Sequence, residues 1–161
     1  MKTILLLISV FLSPNKNTIP ANNEPAHEVY NNYLVCHIMQ TARPYIGTPY
    51  KFGGVNRKYG MDCSAFVREV FQELGFTLPR TSQEMSSIGR RIELKNLLPG
   101  DLLFFHSSKN SEICHVGLVT DANNFDKVLF LHCSTDRKSV QEDNLYSKRY
   151  KSIFVKAMRP F

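Results

Sequence analysis

The sequence predicts an α+β domain in which N-terminal helices pack on a small antiparallel sheet. Two observations favour this fold class. Apolar residues recur at helical spacing in the first part of the chain, whereas short strand-like segments separated by turn residues follow Pro99-Gly100. Helices first and strands afterwards are typical of an α+β layout. With 161 residues, of which 43% are hydrophobic and 21% charged, the chain is long enough for one domain with a substantial core.

The N-terminal residues have the pattern of a secretory leader. Lys2 precedes the apolar stretch 4–12, which is too short to span a bilayer, and a polar, proline-rich segment follows. A buried first helix is the alternative, but the Asn and Pro residues that come next would not pack in a core. We therefore expect residues 1–26 to be a signal peptide and leader, and the protein to be exported to the periplasm or the extracellular space. No Cys directly follows the apolar stretch, so no stable membrane anchor is predicted.

The clearest predicted helix runs from Cys63 to Leu74. Its apolar residues lie at i, i+3, i+4, i+7, i+8 and i+11 from Cys63 and form one stripe. Asp62 stands at the N-cap position and Gly75 at the C′ position, which supports both ends of the helix. Two further helices are predicted: residues 27–42, and a short one from the capping box at Thr81 to Gly89.

Two of the predicted strands place histidines together. If the predicted strands Ile113–Thr120 and Lys127–Cys133 form a hairpin with its turn over residues 121–126, Thr120 pairs with Lys127. His115 then lies opposite His132 on one face of the sheet. A matched pair of imidazoles suits a base and its orienting partner. The four predicted strands are Asp101–Phe105, Ile113–Thr120, Lys127–Cys133 and Ser152–Met158.

The same register places Cys114 opposite Cys133 on the other face. Directly opposed strand residues have Cα atoms about 4.5–5.5 Å apart, which a disulfide can span. A disulfide and two reduced thiols both remain open at this point. Zinc is a poor interpretation of the Cys-His neighbours, because Cys114 and His115 point to opposite faces and neither face supplies three protein ligands. No metal site is predicted.

Cys63 has a position that favours reactivity. The reactive form of cysteine is the thiolate, and a free thiol with a pKa of about 8.5 supplies little of it at neutral pH. A helix N-terminus and a nearby imidazole both lower that pKa. On helix position alone, the interpretation of Cys63 as the first core residue of the apolar stripe is favoured; the histidine pair changes this and favours the reactive interpretation.

Several blocks of the sequence, taken together and in order, resemble the NlpC/P60 family of cysteine peptidases. The resemblance extends from about Gly47 to Arg159. Two small departures are Ala65, where the family usually has glycine, and Cys133, where it usually has alanine. The blocks are Gly47-Thr48-Pro49-Tyr50, Met61-Asp62-Cys63-Ser64, Leu78-Pro79-Arg80-Thr81-Ser82, Leu98-Pro99-Gly100-Asp101-Leu102, His115-Val116-Gly117 and Leu131-His132-Cys133-Ser134.

This resemblance implies a papain-like α+β fold, with residues 27–161 as the catalytic domain. It implies Cys63 as nucleophile, His115 as general base and then acid, and His132 as the residue that orients His115. It further implies that the substrate-binding residues near the nucleophile include Tyr50, Asp62 and Ser64. Members of the family hydrolyse the γ-D-glutamyl bond to a diamino acid, or related bonds, in peptidoglycan stem peptides. No cofactor is implied.

Two other functions use the same sequence features. An amidase or acyltransferase would use the same thiolate, but lipid-modifying relatives have histidine before cysteine, whereas here Cys63 precedes both histidines. A non-catalytic wall-binding module would be expected to lack one of the three reactive residues. The net charge is +6, but the basic residues are scattered, and no nucleic-acid partner is predicted. The resemblance implies peptidoglycan stem peptides or muropeptides as partners, and we expect a monomer.

Overall fold

The computed structural model describes residues 24–107, 112–124 and 126–161. The predicted leader, residues 1–26, therefore lies almost wholly outside the described residues. Among those described, the helices are α1 Glu24–Ala42, α2 Cys63–Glu73, α3 Ser82–Met85 and α4 Lys148–Ile153. The strands are β1 Val55–Asn56, β2 Gly60–Met61, β3 Arg90–Ile92, β4 Leu102–His106, β5 Ile113–Asn124, β6 Lys127–Cys133, β7 Val140–Asn144 and β8 Phe154–Arg159.

The main sheet has six strands in the order β3-β8-β4-β5-β6-β7, and every neighbouring pair is antiparallel. Strands β1 and β2 form a separate two-stranded sheet. Helices α1, α2 and α3 precede the central strands, which confirms the α+β prediction. None of the described helices combines the length and the apolar character that crossing a membrane requires.

Helix α2 matches its predicted pattern closely. The Asp62 carboxylate accepts a hydrogen bond of 2.8 Å from the Ala65 N–H and so caps the first turn. Gly75 has φ +82°, as expected for a residue that ends a helix in the left-handed region. The stripe residues Cys63, Phe66, Val67, Val70 and Phe71 are all buried. They pack against one face of the sheet and place Cys63 beside β5.

The centre of the sheet is buried on both faces. One face, with Phe104, Val116 and Leu131, packs against α1 and α2. The opposite face, with Phe105 and Phe130, packs against α4 and the chain around it. Because β4 is buried on both faces, its sequence is a continuous apolar run and does not alternate between apolar and polar residues.

An ion pair between Asp101 and Arg159 joins the start of β4 to the end of β8. Asp101 is fully buried, and its two oxygens accept hydrogen bonds of 2.7 and 2.8 Å from the Arg159 guanidinium. The same carboxylate accepts the Leu98 N–H at 2.9 Å. The aspartate of the Pro-Gly-Asp block thus has a structural role, since it closes a turn and secures the last strand.

Five elements were not predicted, namely α4, β1, β2, β3 and β7, and α3 ends at Met85 and not at Gly89. Residues Lys148–Ile153 form α4, capped by Ser147, so the last strand begins at Phe154 and not at Ser152. Strands β3 and β7 were not predicted, because Arg90–Ile92 and Val140–Asn144 are short and mainly polar. Both are edge strands of the main sheet. Pairing with β8 and β6 stabilises them, although their own sequences do not alternate between apolar and polar residues.

The predicted register of the β5–β6 hairpin is wrong by two residues near the histidines. Leu118 pairs with Leu131, whereas a Thr120–Lys127 pair would have placed it opposite Leu129. The cause is that β5 continues to Asn124, which pairs with Lys127 across two register shifts. A two-residue shift keeps every side chain on its face. His115 and His132 therefore share a face without being directly opposed.

The shifted register also removes the predicted opposition of Cys114 and Cys133. Both are free thiols, with Cys114 exposed and Cys133 buried. The Cys133 Sγ donates a hydrogen bond of 3.1 Å to the Met61 carbonyl, on the side of the sheet that carries α2. The alternative of two reduced thiols is thus the one the structure contains.

Candidate active site

The two histidines are in direct contact. His115 Nε2 lies 2.8 Å from His132 Nδ1, with the two rings perpendicular at a centroid distance of 4.9 Å. The side chain of His132 is 1% exposed, whereas His115 is half-buried. One imidazole is therefore fixed within the protein, and the other reaches the surface of the site.

Two further residues hold His132. Its Nε2 lies 2.9 Å from Asp143 Oδ2 and 3.1 Å from the Tyr150 hydroxyl, which itself donates to Asp143 Oδ2 at 3.2 Å. Because the carboxylate only accepts hydrogen bonds, His132 carries its proton on Nε2 and accepts at Nδ1. His115 then carries its proton on Nε2, which leaves its Nδ1 as the nitrogen that can accept a proton. Asp143 thus sets the tautomer of both rings.

Asp143 and Tyr150 were not among the predicted site residues. Asp143 belongs to the unpredicted strand β7, and Tyr150 to the unpredicted helix α4. The available signal was weak: Val140–Asn144 alternates poorly, and no spacing relates it to either histidine.

Cys63 lies at the first residue of α2 and is 8% exposed. Burial raises the pKa of its thiol to about 12, while backbone hydrogen bonds with Val116 and Ser64 act in the opposite direction. The negative charge of Asp62 and the neighbouring Cys114 thiol raise the pKa further. Cys114 and Val116, the two neighbours of His115 in β5, therefore lie close to the Cys63 sulfur. Within the described residues no hydrogen bond joins the Cys63 Sγ to an imidazole nitrogen.

The histidines are shifted toward their neutral forms. Burial lowers the pKa of His115, and the positive charges of His132 and Arg149 lower it further. Burial also lowers the pKa of His132, although the hydrogen bond and charge of Asp143 act against this shift. The resting site thus contains a neutral thiol at the start of α2 and a neutral imidazole whose free nitrogen can act as a base. This arrangement allows proton transfer from sulfur to nitrogen as the sulfur attacks.

The predicted binding residues also lie beside the sulfur. Ser64 Oγ donates to Asp62 Oδ1 at 3.0 Å, and Arg80 donates to both Asp62 oxygens at 2.6 and 3.0 Å. Burial disfavours the charge of Asp62, but the hydrogen bonds from Arg80, Ala65 and Ser64 together with the charge of Arg80 outweigh it, so the pKa of Asp62 is lowered. Burial raises the pKa of Tyr50, and the negative charges of Cys63 and Asp62 raise it further. The Tyr50 hydroxyl therefore lies on the same side of the site as these two groups.

Arg80 was not among the predicted site residues, although it contacts two of them. It also donates to Ser64 Oγ at 2.9 Å, so one guanidinium joins Asp62 and Ser64. Its signal was present, since Arg80 is the basic residue of the Leu-Pro-Arg-Thr-Ser block. The acid that caps α2 therefore already has a cationic partner.

A cavity of about 390 Å³ opens beside the histidine pair. His115 and His132 form one wall, and residues of α4, including Arg149 and Tyr150, form another. Cys63 is not among its lining residues. Among the described residues, no group of three His, Cys, Asp or Glu side chains is placed to hold a metal ion.

A thiol at a helix N-terminus, packed against an antiparallel sheet that carries two joined imidazoles, is the arrangement expected of a cysteine peptidase of the NlpC/P60 type. The sequence profile described as the NlpC/P60 family matches residues 47–159, which is more than half of the chain. This protein therefore belongs to the NlpC/P60 family.

Known proteins agree with this assignment. The chain is 39% identical over 160 residues to the probable endopeptidase NlpC of Escherichia coli (strain K12), with 99% of each chain covered. It is 36% identical over 106 residues to the gamma-DL-glutamyl hydrolase of Bacillus subtilis (strain 168), covering 62% of this chain and 26% of that protein. The chain thus spans nearly all of the first relative and about a quarter of the second.

A solved structure has the same fold. The crystal structure of an NLP/P60 family protein similar to lipoprotein, from Staphylococcus aureus subsp. aureus Mu50, superimposes with a TM-score of 0.69 at 27% identity. The superposition covers 92% of this chain and 55% of that one. The papain-like α+β architecture that the resemblance implied is therefore confirmed.

Proposed function

We propose that this protein is an exported cysteine endopeptidase that hydrolyses an amide bond in peptidoglycan stem peptides, of the γ-D-glutamyl–diamino acid type. The observation that carries the proposal is the line of contacts His115–His132–Asp143 on a sheet whose strand β5 also adjoins the thiol at the start of α2. The relatives named as an endopeptidase and as a gamma-DL-glutamyl hydrolase support the reaction class and the bond. No cofactor takes part.

In the first step the Cys63 sulfur attacks the amide carbonyl while its proton passes to His115 Nδ1. The oxyanion is received by a backbone N–H group in the first turn of α2. The Ala65 and Phe66 N–H groups already donate to Asp62, and the Ser64 backbone is hydrogen-bonded to the Cys63 thiol, so the Cys63 N–H serves this purpose. His115 then gives the proton to the leaving amine, which departs and leaves a thioester on the sulfur.

In the second step His115 Nδ1 accepts a proton from water as that water attacks the thioester. The carboxylic acid product leaves, and the thiol regains its proton from the imidazole. His132 and Asp143 keep the proton of His115 on Nε2 throughout, so that Nδ1 faces the reaction. Every proton that enters His115 at Nδ1 leaves from the same nitrogen.

On the acyl side, Tyr50, Asp62 and Ser64 bind the substrate. Their position beside the sulfur supports this role, and Asp62 suits a free α-ammonium group at the end of a wall peptide. Arg80 already balances the charge of Asp62, so an incoming ammonium shares the carboxylate with a guanidinium. The Ser64 and Tyr50 hydroxyls complete the contact.

For the whole chain, residues 1–26 form the leader and residues 27–161 the catalytic domain, which acts as a monomer in the periplasm or outside the cell. The apolar stretch 4–12 after Lys2 supports export.

Digestion of purified muropeptides, followed by mass spectrometry, tests the function directly. We expect new fragments whose masses correspond to cleavage between D-glutamate and the diamino acid, and no fragments with Cys63→Ala. Wild-type cleavage rates with Cys63→Ala would exclude the thiol mechanism. Fragments arising from another bond would retain the peptidase assignment and replace the bond.

A further inference from the structure

The cavity beside the histidine pair has a chemical character that the reaction described above does not use. It holds about 390 Å³, enough for an amino-acid side chain of moderate size. Its described lining includes Ser134, Thr135 and Ser152, which supply hydroxyl groups, and Arg149. None of the described residues that line it is an aspartate or a glutamate. A site with a guanidinium, several hydroxyls and no carboxylate is suited to an anion.

Arg149 is available to a ligand. Its ion pair with Asp136 joins side chains that are 56% and 52% exposed, and such surface pairs contribute little free energy. The charge of Arg149 also lowers the pKa of both His115 and His132, which is consistent with its position close to them. A substrate carboxylate that enters the cavity can therefore replace Asp136 as the partner of Arg149.

The position of the cavity indicates which part of the substrate enters it. His115 and His132 line the cavity, whereas Cys63 does not. In the proposed reaction the acyl group is bonded to Cys63, and the amine takes its proton from His115. The cavity therefore lies on the side of the leaving amine, where the diamino acid of the stem peptide is placed.

We propose that Arg149 is a specificity-determining residue that binds a free carboxylate on the side chain of this diamino acid. The inference rests on the proposed function, because it assigns the cavity from the direction of the reaction. This contact distinguishes diaminopimelate, whose side chain carries a second carboxylate, from lysine, whose side chain lacks that group. A charge-assisted, bidentate contact of this kind corresponds to a preference of about tenfold or more.

Two synthetic tetrapeptides test the preference: L-Ala-γ-D-Glu-meso-diaminopimelate-D-Ala and L-Ala-γ-D-Glu-L-Lys-D-Ala. They differ by one carboxylate, so the ratio of their kcat/KM values reports that group alone. We expect the wild-type ratio to favour diaminopimelate by about tenfold or more. Arg149→Gln should bring the ratio close to one. Lys151→Gln, which removes a positive charge from the same helix but outside the cavity lining, should keep the wild-type ratio.

The ratio is informative because any general damage to the histidine pair changes both rates equally. A wild-type ratio near one, or an unchanged ratio in Arg149→Gln, would overturn the inference while leaving the peptidase intact. If the wild type cuts neither peptide, the proposed function fails instead. Calorimetric titration of both tetrapeptides into Cys63→Ala, with and without Arg149→Gln, then decides the inference. Equal dissociation constants for the two peptides in Cys63→Ala would exclude a carboxylate site.

Discussion

His115 and His132 meet at 2.8 Å through Nε2 and Nδ1, although the strands that carry them pair two residues away from direct opposition. The contact survives the shift because side chains alternate between the faces of a strand with a period of two. It commits Nε2 of His115 to His132 and leaves Nδ1 as the nitrogen that can accept a proton. This division of the two nitrogens is the basis of the first three predictions.

The two histidines should differ in the cost of their removal. We expect His115→Ala to abolish hydrolysis, because no other group in the described site can take the proton of Cys63. His132→Ala should retain measurable activity, since an orienting group contributes less than the base itself. Steady-state rates on muropeptides check this, with circular dichroism to show that both variants are folded. Equal losses in the two variants would contradict the assignment of roles.

Asp143 should act as a positioning residue. Asp143→Ala is expected to lower kcat by about 100-fold with little change in KM, because His132 loses the partner that sets its tautomer. Asp126→Ala, an exposed acid in the β5–β6 turn, is the matched control and should keep the wild-type kcat. A wild-type kcat for Asp143→Ala, or a loss confined to KM, would show that Asp143 is not part of the proton path.

The pH dependence should follow the lowered pKa of His115. The base form of His115 is needed, and burial together with the charge of His132 stabilises that form. The acid limb of kcat/KM is therefore expected below pH 6.5, the ordinary range of histidine. Rates measured on an uncharged model amide test this; an acid limb at pH 7 or above would contradict it.

Recognition of the free amino end should depend on Asp62. Peptides with an unblocked L-Ala should be cut faster than their N-acetylated forms, because acetylation removes the ammonium group that the carboxylate receives. The ratio of kcat/KM for the two peptides is the measurement. Equal values would remove this role from Asp62 and leave it as the N-cap of α2 and the partner of Arg80.

Stability should depend strongly on Arg159. Arg159→Ala leaves the fully buried Asp101 without its guanidinium, and loss of one partner of a buried ion pair costs about 3–5 kcal/mol. Lys95→Ala breaks an exposed pair with Glu93 and should cost less than about 1 kcal/mol. Urea unfolding of both variants compares the two free energies of unfolding. Similar values would mean that Asp101 finds another partner or is hydrated in the variant.

Much of the local structure was predictable from the sequence because its causes are local. The stripe and caps of α2, and the capping box at Thr81, depend on residues within a few positions of one another. The shared face of the two histidines was also predictable, because it depends only on the two-residue period of a strand and is unchanged when the register shifts by an even number of residues. The blocks around Cys63, His115 and His132 also predicted the family correctly.

Other features depended on the tertiary structure. The register of β5 and β6 is set by two irregularities in their pairing, which no turn residue announces. Asp143 reaches His132 only because β7 pairs with β6, and Arg149 and Tyr150 reach the site only because α4 packs on the far face of the sheet. The sequence alone predicted the candidate reactive residues Cys63, His115 and His132, since reactivity needs particular side chains at local positions. The fold decided which groups orient them, because those contacts join segments whose association depends on the packing of the whole sheet.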